Sequence, residues 1–353
     1  MADPAKASQA MIIFYMAFNF ISSVSIITIN KIVFKSYEYN YSTWLTCLHF
    51  ITTFIGLYIC SVFGAFTIKY VRIREILPLS LTFVGFVVFN NLSLQYNSIG
   101  FYQLMKVLTT PVILIVQYLL YNVSVNNKLK LTLIPICIGV TLATVSDVEL
   151  NLYGTIYAIL GILSTSLYQI YVKTKQQDLG LDSYQLLFLQ APTSAILVLI
   201  LSLIFEPWLP STDSNIVTIT TYNYTTESII MLSISCILAF LINLSIFLVI
   251  GKTSPIAYNV LGHFKLCVIL ISGFILFHEQ PNLLKVIGTV LAFIGVVLYT
   301  HVQQNIPKQA AGSWDARDKQ VNEHKEQQQQ QKNGNTYTQL TTVDSKEENE
   351  TKV

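Results

Sequence analysis

Acidic side chains are missing from the apolar parts of this chain. No Asp or Glu falls within any of its long hydrophobic runs; Glu75, Asp147, Glu149, Glu206 and Glu279 all sit at or beyond the run ends. Carriers driven by protons or sodium keep a carboxylate near the membrane midplane, so this absence argues against coupling to a cation gradient. It also removes the paired carboxylates of general acid–base chemistry, and no nucleophile–base arrangement replaces them, so an enzyme is not expected. Cysteine is sparse as well. Cys47, Cys60, Cys137, Cys236 and Cys267 lie in apolar runs at none of the short spacings used for zinc, haem or redox pairs, and read as small core or lipid-facing residues. His49, His263 and the other histidines form no metal constellation, so no metal or other cofactor is expected, nor a nucleic-acid partner. The ten residues before the first run include Asp3 and a single lysine, too short and too poor in arginine for an organelle transit peptide. That run is too long for a cleaved signal and is expected to stay as a signal anchor.

What remains is largely apolar. Of 353 residues, 53% are hydrophobic and 11% charged, with mean hydropathy +0.55, whereas a soluble domain carries about a quarter charged residues. The chain reads as an all-α polytopic membrane protein with ten transmembrane helices, at roughly 11–34, 42–63, 76–96, 98–121, 129–146, 151–172, 183–205, 229–250, 254–277 and 283–301. Lys69, Arg72, Arg74, Lys128, Lys130, Lys173, Lys175 and Lys252 follow even-numbered spans, against Lys31, Lys35 and Lys285 on the other side. Positive charge stays in the cytosol, so both termini are expected there. Segment 206–228 has no Lys or Arg and holds the sequon Asn223-Tyr224-Thr225, a candidate luminal glycosylation site. From 302 onward the composition turns to Gln, Asn, Lys and Glu, including the homopolymer Gln327 to Gln331, which reads as a disordered cytosolic tail.

The chain repeats itself. Asn91-Leu92-Ser93 returns as Asn243-Leu244-Ser245, Ser98 and Tyr102 return as Ser254 and Tyr258, and the Ile138-Gly139-Val140 stretch returns as Ile294-Gly295-Val296. The expected organisation is a short N-terminus at 1–10, a five-helix repeat at 11–146, a second at 147–301 carrying the luminal insertion 206–228, and the tail 302–353. Because five is odd, the second copy enters from the opposite side, and two inverted repeats are the geometry of alternating access about a midplane site. Gly139, Gly295 and Gly288 offer flat faces for close contact between spans five and ten or between protomers, so a homodimer is possible.

Each repeat places one lysine deep in the bilayer. Lys106 follows Tyr102 and Gln103; Lys265 follows Tyr258 and Asn259 and lies three residues beyond strict register. A lysine at that depth costs roughly 2.5 to 3.5 kcal/mol on insertion scales, and with no acidic residue in the spans the partner is expected to be an anionic substrate bearing phosphate. The tyrosines and amides suit a flat base, the ring stacking and the amide reading its edge, although a tyrosine also serves as an interfacial belt residue. Asn91 and Asn243 are further candidates, with interhelical bonding, shared by Asn90 and Ser166, as the other reading. An empty site would close over unpaired cations, so exchange rather than net flux is expected. Pro111, Pro135, Pro192 and Pro255 read as helix kinks or starts.

The stretches NLSLQYNSIGFYQLMKVLTTP and SPIAYNVLGHFKLCVILISGFILFHE, with ten spans and matched fifth and tenth helices, resemble the triose-phosphate and nucleotide-sugar translocator branch of the drug/metabolite transporter superfamily. More narrowly, residues 11 to 301 are similar to solute carrier family 35, subfamily E, and to plant Golgi UDP-sugar transporters. The resemblance implies antiport of a nucleotide sugar against a nucleoside monophosphate in Golgi or endoplasmic reticulum membranes, with the family's substrate lysines falling on Lys106 and Lys265. Tight phosphate binders of the family place Arg after the second lysine, where this chain has Leu266, which argues against triose phosphate. The alternatives are a translocator of small phosphorylated metabolites and a membrane scaffold acting through the Gln-rich tail.

Overall fold

In hydrocarbon no water satisfies the backbone, so apolar runs of this length fold into helices that pair their own N–H and C=O groups. The computed structural model describes residues 4–96, 99–121, 125–144, 151–210, 217–276 and 283–305, and the 302–353 tail lies almost wholly outside them. Among the described residues there are ten helices and no strand: α1 (Pro4–Ser36), α2 (Ser42–Val62), α3 (Ile73–Tyr96), α4 (Ile99–Tyr121), α5 (Asn127–Thr144), α6 (Leu152–Asp178), α7 (Ser183–Phe205), α8 (Thr226–Lys252), α9 (Pro255–Leu276) and α10 (Leu283–Asn305). Local chemistry sets several boundaries. Asp182 and Gln185 form a reciprocal capping box at the start of α7, Asn151 and Thr225 cap α6 and α8, and Pro255 opens α9, while Pro111, Pro135 and Pro192 lie inside helices.

Among the described residues, six helices, α1, α2, α3, α6, α7 and α8, are long and apolar enough to cross a membrane. The sequence expects ten; among the described residues α4 and α10 carry the shorter apolar stretches Leu108–Tyr121 and Val286–Val302, and much of α9 has side chains outside those residues. Large apolar side chains such as Phe14, Ile21, Ile55, Phe63, Ile196 and Leu203 face outward, which suits lipid and not water. The chain is an integral membrane protein.

Packing is organised in cross-chain pairs: α5 with α10, α3 with α6, α1 with α8, α2 with α7, and α4 with α9. The α5–α10 contact is made backbone to backbone. A Cβ on Gly139 would fall 2.3 Å from the Ala292 nitrogen and 2.6 Å from the Gly288 oxygen, and one on Gly295 would fall 2.8 Å from the Ile136 nitrogen. These glycines therefore serve an interface within the chain.

Polar ties secure both ends of the bundle. At the end holding the α2–α3 and α6–α7 connections, Lys69 Nζ donates to the Gly180 carbonyl at 2.7 Å, Gln185 Nε2 to the Thr67 carbonyl at 2.8 Å, and Lys175 pairs with Glu75 at 2.9 Å. At the opposite end, Glu206 accepts from the backbone N–H groups of Thr43 and Trp44 at 2.7 and 2.8 Å, capping α2 where the helix dipole favours an anion. Tyr41 donates to the Val217 carbonyl and Tyr222 to the Tyr37 carbonyl. Tyr39 is buried between them, its ring edge-on to Tyr41 and Tyr222, and burial holds its hydroxyl above the usual phenol range.

The ends differ in how they close. The C-terminal turns of α6 and α8 and the start of α7 are drawn together: Lys173 Nζ donates to the Gly251 carbonyl at 2.8 Å, while Ser183 Oγ and Gln176 Nε2 donate to the Phe247 carbonyl at 2.9 and 3.2 Å. Gly251 permits this, since a Cβ there would meet Gln176 Oε1 at 2.2 Å. At the other end lie the C-terminal half of α1, the start of α2 and the C-terminal half of α3. There the α3 backbone stays further from α1 and α2 among the described residues, although Phe83 of α3 meets Phe50 of α2 edge-on, 4.6 Å between ring centres. Instead a cavity of about 240 Å³ opens, lined by Asn30, Phe34, Ser42, His49, Phe86 and Asn90 among others.

Candidate anion site

Lys265 sits at mid-length in α9, two turns after Tyr258, so the two share one helix face. Its ammonium lies 5.7 Å from the centre of the Tyr258 ring, within cation–π reach. The same ammonium donates to Asn19 Oδ1 of α1 at 2.7 Å. Asn19 has no exposed surface, and its Nδ2 donates to Ser245 Oγ of α8 at 2.8 Å. Ser245 in turn donates to the Ile242 carbonyl at 2.7 Å, which fixes its lone pairs toward Asn19. Lys265 is thus held by a neutral oxygen. The Lys106 ammonium on α4 is close enough to act electrostatically on that of Lys265, so the charges of the two halves share one neighbourhood; the Lys106 side chain itself is exposed.

Asn259 turns away from this cluster. Six residues from Lys265 place it on another face of α9, where its Nδ2 donates to Gln169 Oε1 of α6 at 2.6 Å and to the Pro255 carbonyl at 3.0 Å. Tyr168, adjacent to Gln169, is buried against Phe83 and stacks on Phe86. Asn243 donates to Thr53 Oγ1 of α2 at 3.2 Å, and Asn90 to Thr165 Oγ1 of α6 at 3.2 Å, so both hold helices together. The sequence candidates Asn91, Tyr102 and Gln103 have side chains outside the described residues. His263 meets Thr110 Oγ1 at 3.2 Å and His49 meets Ser235 Oγ at 2.9 Å, and no group of metal-ligating side chains occurs among the described residues. Asn223 is exposed, two residues before the Thr225 cap of α8.

Sequence reasoning missed Asn19, Gln169 and Ser245 as partners of the site. The available signal was thermodynamic: an asparagine at mid-span is costly unless bonded, which marks Asn19 without naming what it meets.

An ammonium held in a low-dielectric bundle by uncharged groups keeps its full attraction for an anion, and phosphate offers several acceptor oxygens to its remaining N–H donors. The comparisons agree with a carrier. UDP-xylose transporter 2 of Arabidopsis thaliana is 32% identical over 293 residues, covering 81% of this chain and 80% of that protein. UDP-rhamnose/UDP-galactose transporter 2 of Arabidopsis thaliana is 33% identical over 287 residues, covering 80% and 81%. A solved crystal structure superposes with TM-score 0.60 at 11% identity, covering 85% of this chain and 98% of that one, a likeness of fold alone. The profile of the Triose-phosphate Transporter family matches residues 10–300. The chain therefore belongs to the triose-phosphate transporter family and is a transporter, not an enzyme.

Proposed function

We propose that this protein exchanges a nucleotide sugar, in the first place a UDP-sugar, for a nucleoside monophosphate across a Golgi or endoplasmic reticulum membrane. The observation that carries the reading is the Lys265 ammonium, mid-helix, held by a neutral amide and within electrostatic reach of Lys106. Similarity to plant UDP-sugar transporters points to the same substrate class. Lys106 and Lys265 bind the phosphates, Tyr258 and Tyr102 flank them, and Gln103 reads the base together with Asn259, which lies with its partner Gln169 on the adjoining face of α9, away from the phosphates. Asn243 and Asn91 shape the site from the neighbouring helices.

All ten helices cross the bilayer as two inverted repeats, 11–146 and 147–301. The packing supports this: replacing each helix by the one five places on turns α3–α6 into α8–α1, α3–α7 into α8–α2 and α4–α6 into α9–α1, all of which occur. With both termini cytosolic, the closed triplet at Gly251 faces the cytosol and the 240 Å³ cavity faces the lumen. The molecule is then lumen-open. Reversal would release α8 from α6 and α7 and bring α3 onto α1 and α2. A site carrying substrate crosses with the Lys265 charge neutralised, whereas an empty one crosses with that charge held by a neutral amide, which favours exchange over net flux.

The test is reconstitution of purified protein into vesicles preloaded with UMP, GMP or CMP and offered a panel of nucleotide sugars. UDP-sugar uptake confined to UMP-loaded vesicles is expected, and Lys106→Ala and Lys265→Ala should each abolish it. Equal uptake into empty vesicles would refute exchange. Competition by triose phosphate or phosphoenolpyruvate, with none by nucleotides, would select a small-metabolite carrier, the reading favoured by the family's name. Removing 302–353 should leave transport intact, and its loss would favour a scaffold. Asn223→Gln should remove any glycosidase-sensitive mobility shift.

A further inference from the structure

Asn19 is not in either of the matched motifs, yet it is the group that meets the buried ammonium. Its orientation is dictated by its neighbours. Lys265 can only donate, so the amide must present Oδ1 to it. Ser245 spends its proton on the Ile242 carbonyl and therefore accepts from Nδ2. The result is a one-way relay from α9 through α1 to α8, with every polar atom of the fully buried amide directed.

We propose that Asn19 is the positioning residue of the anion site, aiming the Lys265 ammonium at the substrate phosphate while leaving its charge uncompensated. This rests on the transport reading above. An aspartate of the same shape would reach the same nitrogen, form an ion pair and compete with the incoming phosphate. The amide supplies a hydrogen bond of similar geometry and no charge. Substrate phosphate can thus share or take the ammonium without first separating an ion pair. In taking it, phosphate loosens the link between α1 and α9.

The experiment compares Asn19→Asp, Asn19→Ala and Ser245→Ala in reconstituted vesicles, with UMP and uridine as competitors of UDP-sugar uptake. Asn19→Asp should weaken inhibition by UMP at least a hundredfold, because a charge-assisted bond and a net charge change together. Uridine, which has no phosphate, should inhibit as it does in wild type, an outcome that general misfolding would not produce. Asn19→Ala should raise KM about tenfold with a smaller change in Vmax, since the ammonium remains but is no longer aimed. Ser245→Ala should fall between Asn19→Ala and wild type, and Ser245→Thr should restore wild-type behaviour. Asn19→Asp with wild-type sensitivity to UMP, or with UMP and uridine affected alike, overturns the inference alone. A wild-type protein that exchanges no phosphorylated solute overturns the transport reading and this inference with it.

Discussion

Two helix triplets that the proposed repeat would relate lie at opposite ends of the bundle, α1–α2–α3 and α6–α7–α8. In the second, an ammonium, an amide and a hydroxyl reach the last carbonyls of α8, where the dipole of that helix favours a positive charge. In the first, the matching space is a polar cavity edged by Phe34 and Phe86. Sequence explains part of the contrast. Ser183 and Ser42 each open their helix and both triplets offer a lysine in sequence, Lys173 and Lys31, but α1 has Phe34 where α6 has Gln176, so the closed triplet has one more side chain able to grip a helix terminus. Under the proposed inverted repeat, unequal polar closure lets one chain rest in one of two related shapes.

The largest expected effect comes from filling the open side. Thr46→Trp places an indole in the 240 Å³ cavity and should abolish exchange, read as UDP-sugar uptake into UMP-loaded vesicles, while leaving expression and thermal stability near wild type. Full activity in this variant would show that the cavity is not on the route. Next is release of the closed side. Lys173→Met removes a charged hydrogen bond of roughly 1.5–3 kcal/mol, so a cysteine introduced at Ser183 should label, from the face proposed to be cytosolic, about tenfold faster or more. Unchanged labelling would mean that the grip on Gly251 is incidental. Gly251→Ala is milder, because the atom it displaces is the far end of the flexible Gln176 side chain; about 1 kcal/mol is expected, seen as a smaller labelling increase in the same assay. Glu206→Gln should have the smallest effect. It keeps an acceptor for the α2 N-terminus but loses the charge–dipole attraction, about 0.3–1 kcal/mol, detectable as a slight drop in Tm without altered labelling at Ser183. A large labelling change there would tie the two ends together more tightly than their separate bonding suggests.

Helix existence was readable because hydrocarbon leaves a run of twenty apolar residues little choice, and the ten runs match α1 to α10 to within a few residues at most ends. The largest boundary error is α1, which starts at Pro4 because nothing between there and residue 11 stops a helix. The lysines were readable from cost alone. Their surroundings were not: Asn19 meets Lys265 across 246 residues, and a helix with nearly uniform hydrophobicity does not announce which of its faces points inward. Tyr258 and Asn259 illustrate the limit. Adjacent in sequence and assigned to one site, they are turned by about 100° from each other, one toward the ammonium and the other toward Gln169.

The glycine contact between α5 and α10 has its own mechanical consequence. With main chain resting on main chain at Gly139, and Gly295 seated against the backbone and side chain of Ile136, little stands between the two helices to swing, lengthen or repack. Sliding one rod past the other would drive peptide groups into each other. Rearrangement elsewhere must pivot about this line as about an axle, and even a methyl group added there would jam the bearing.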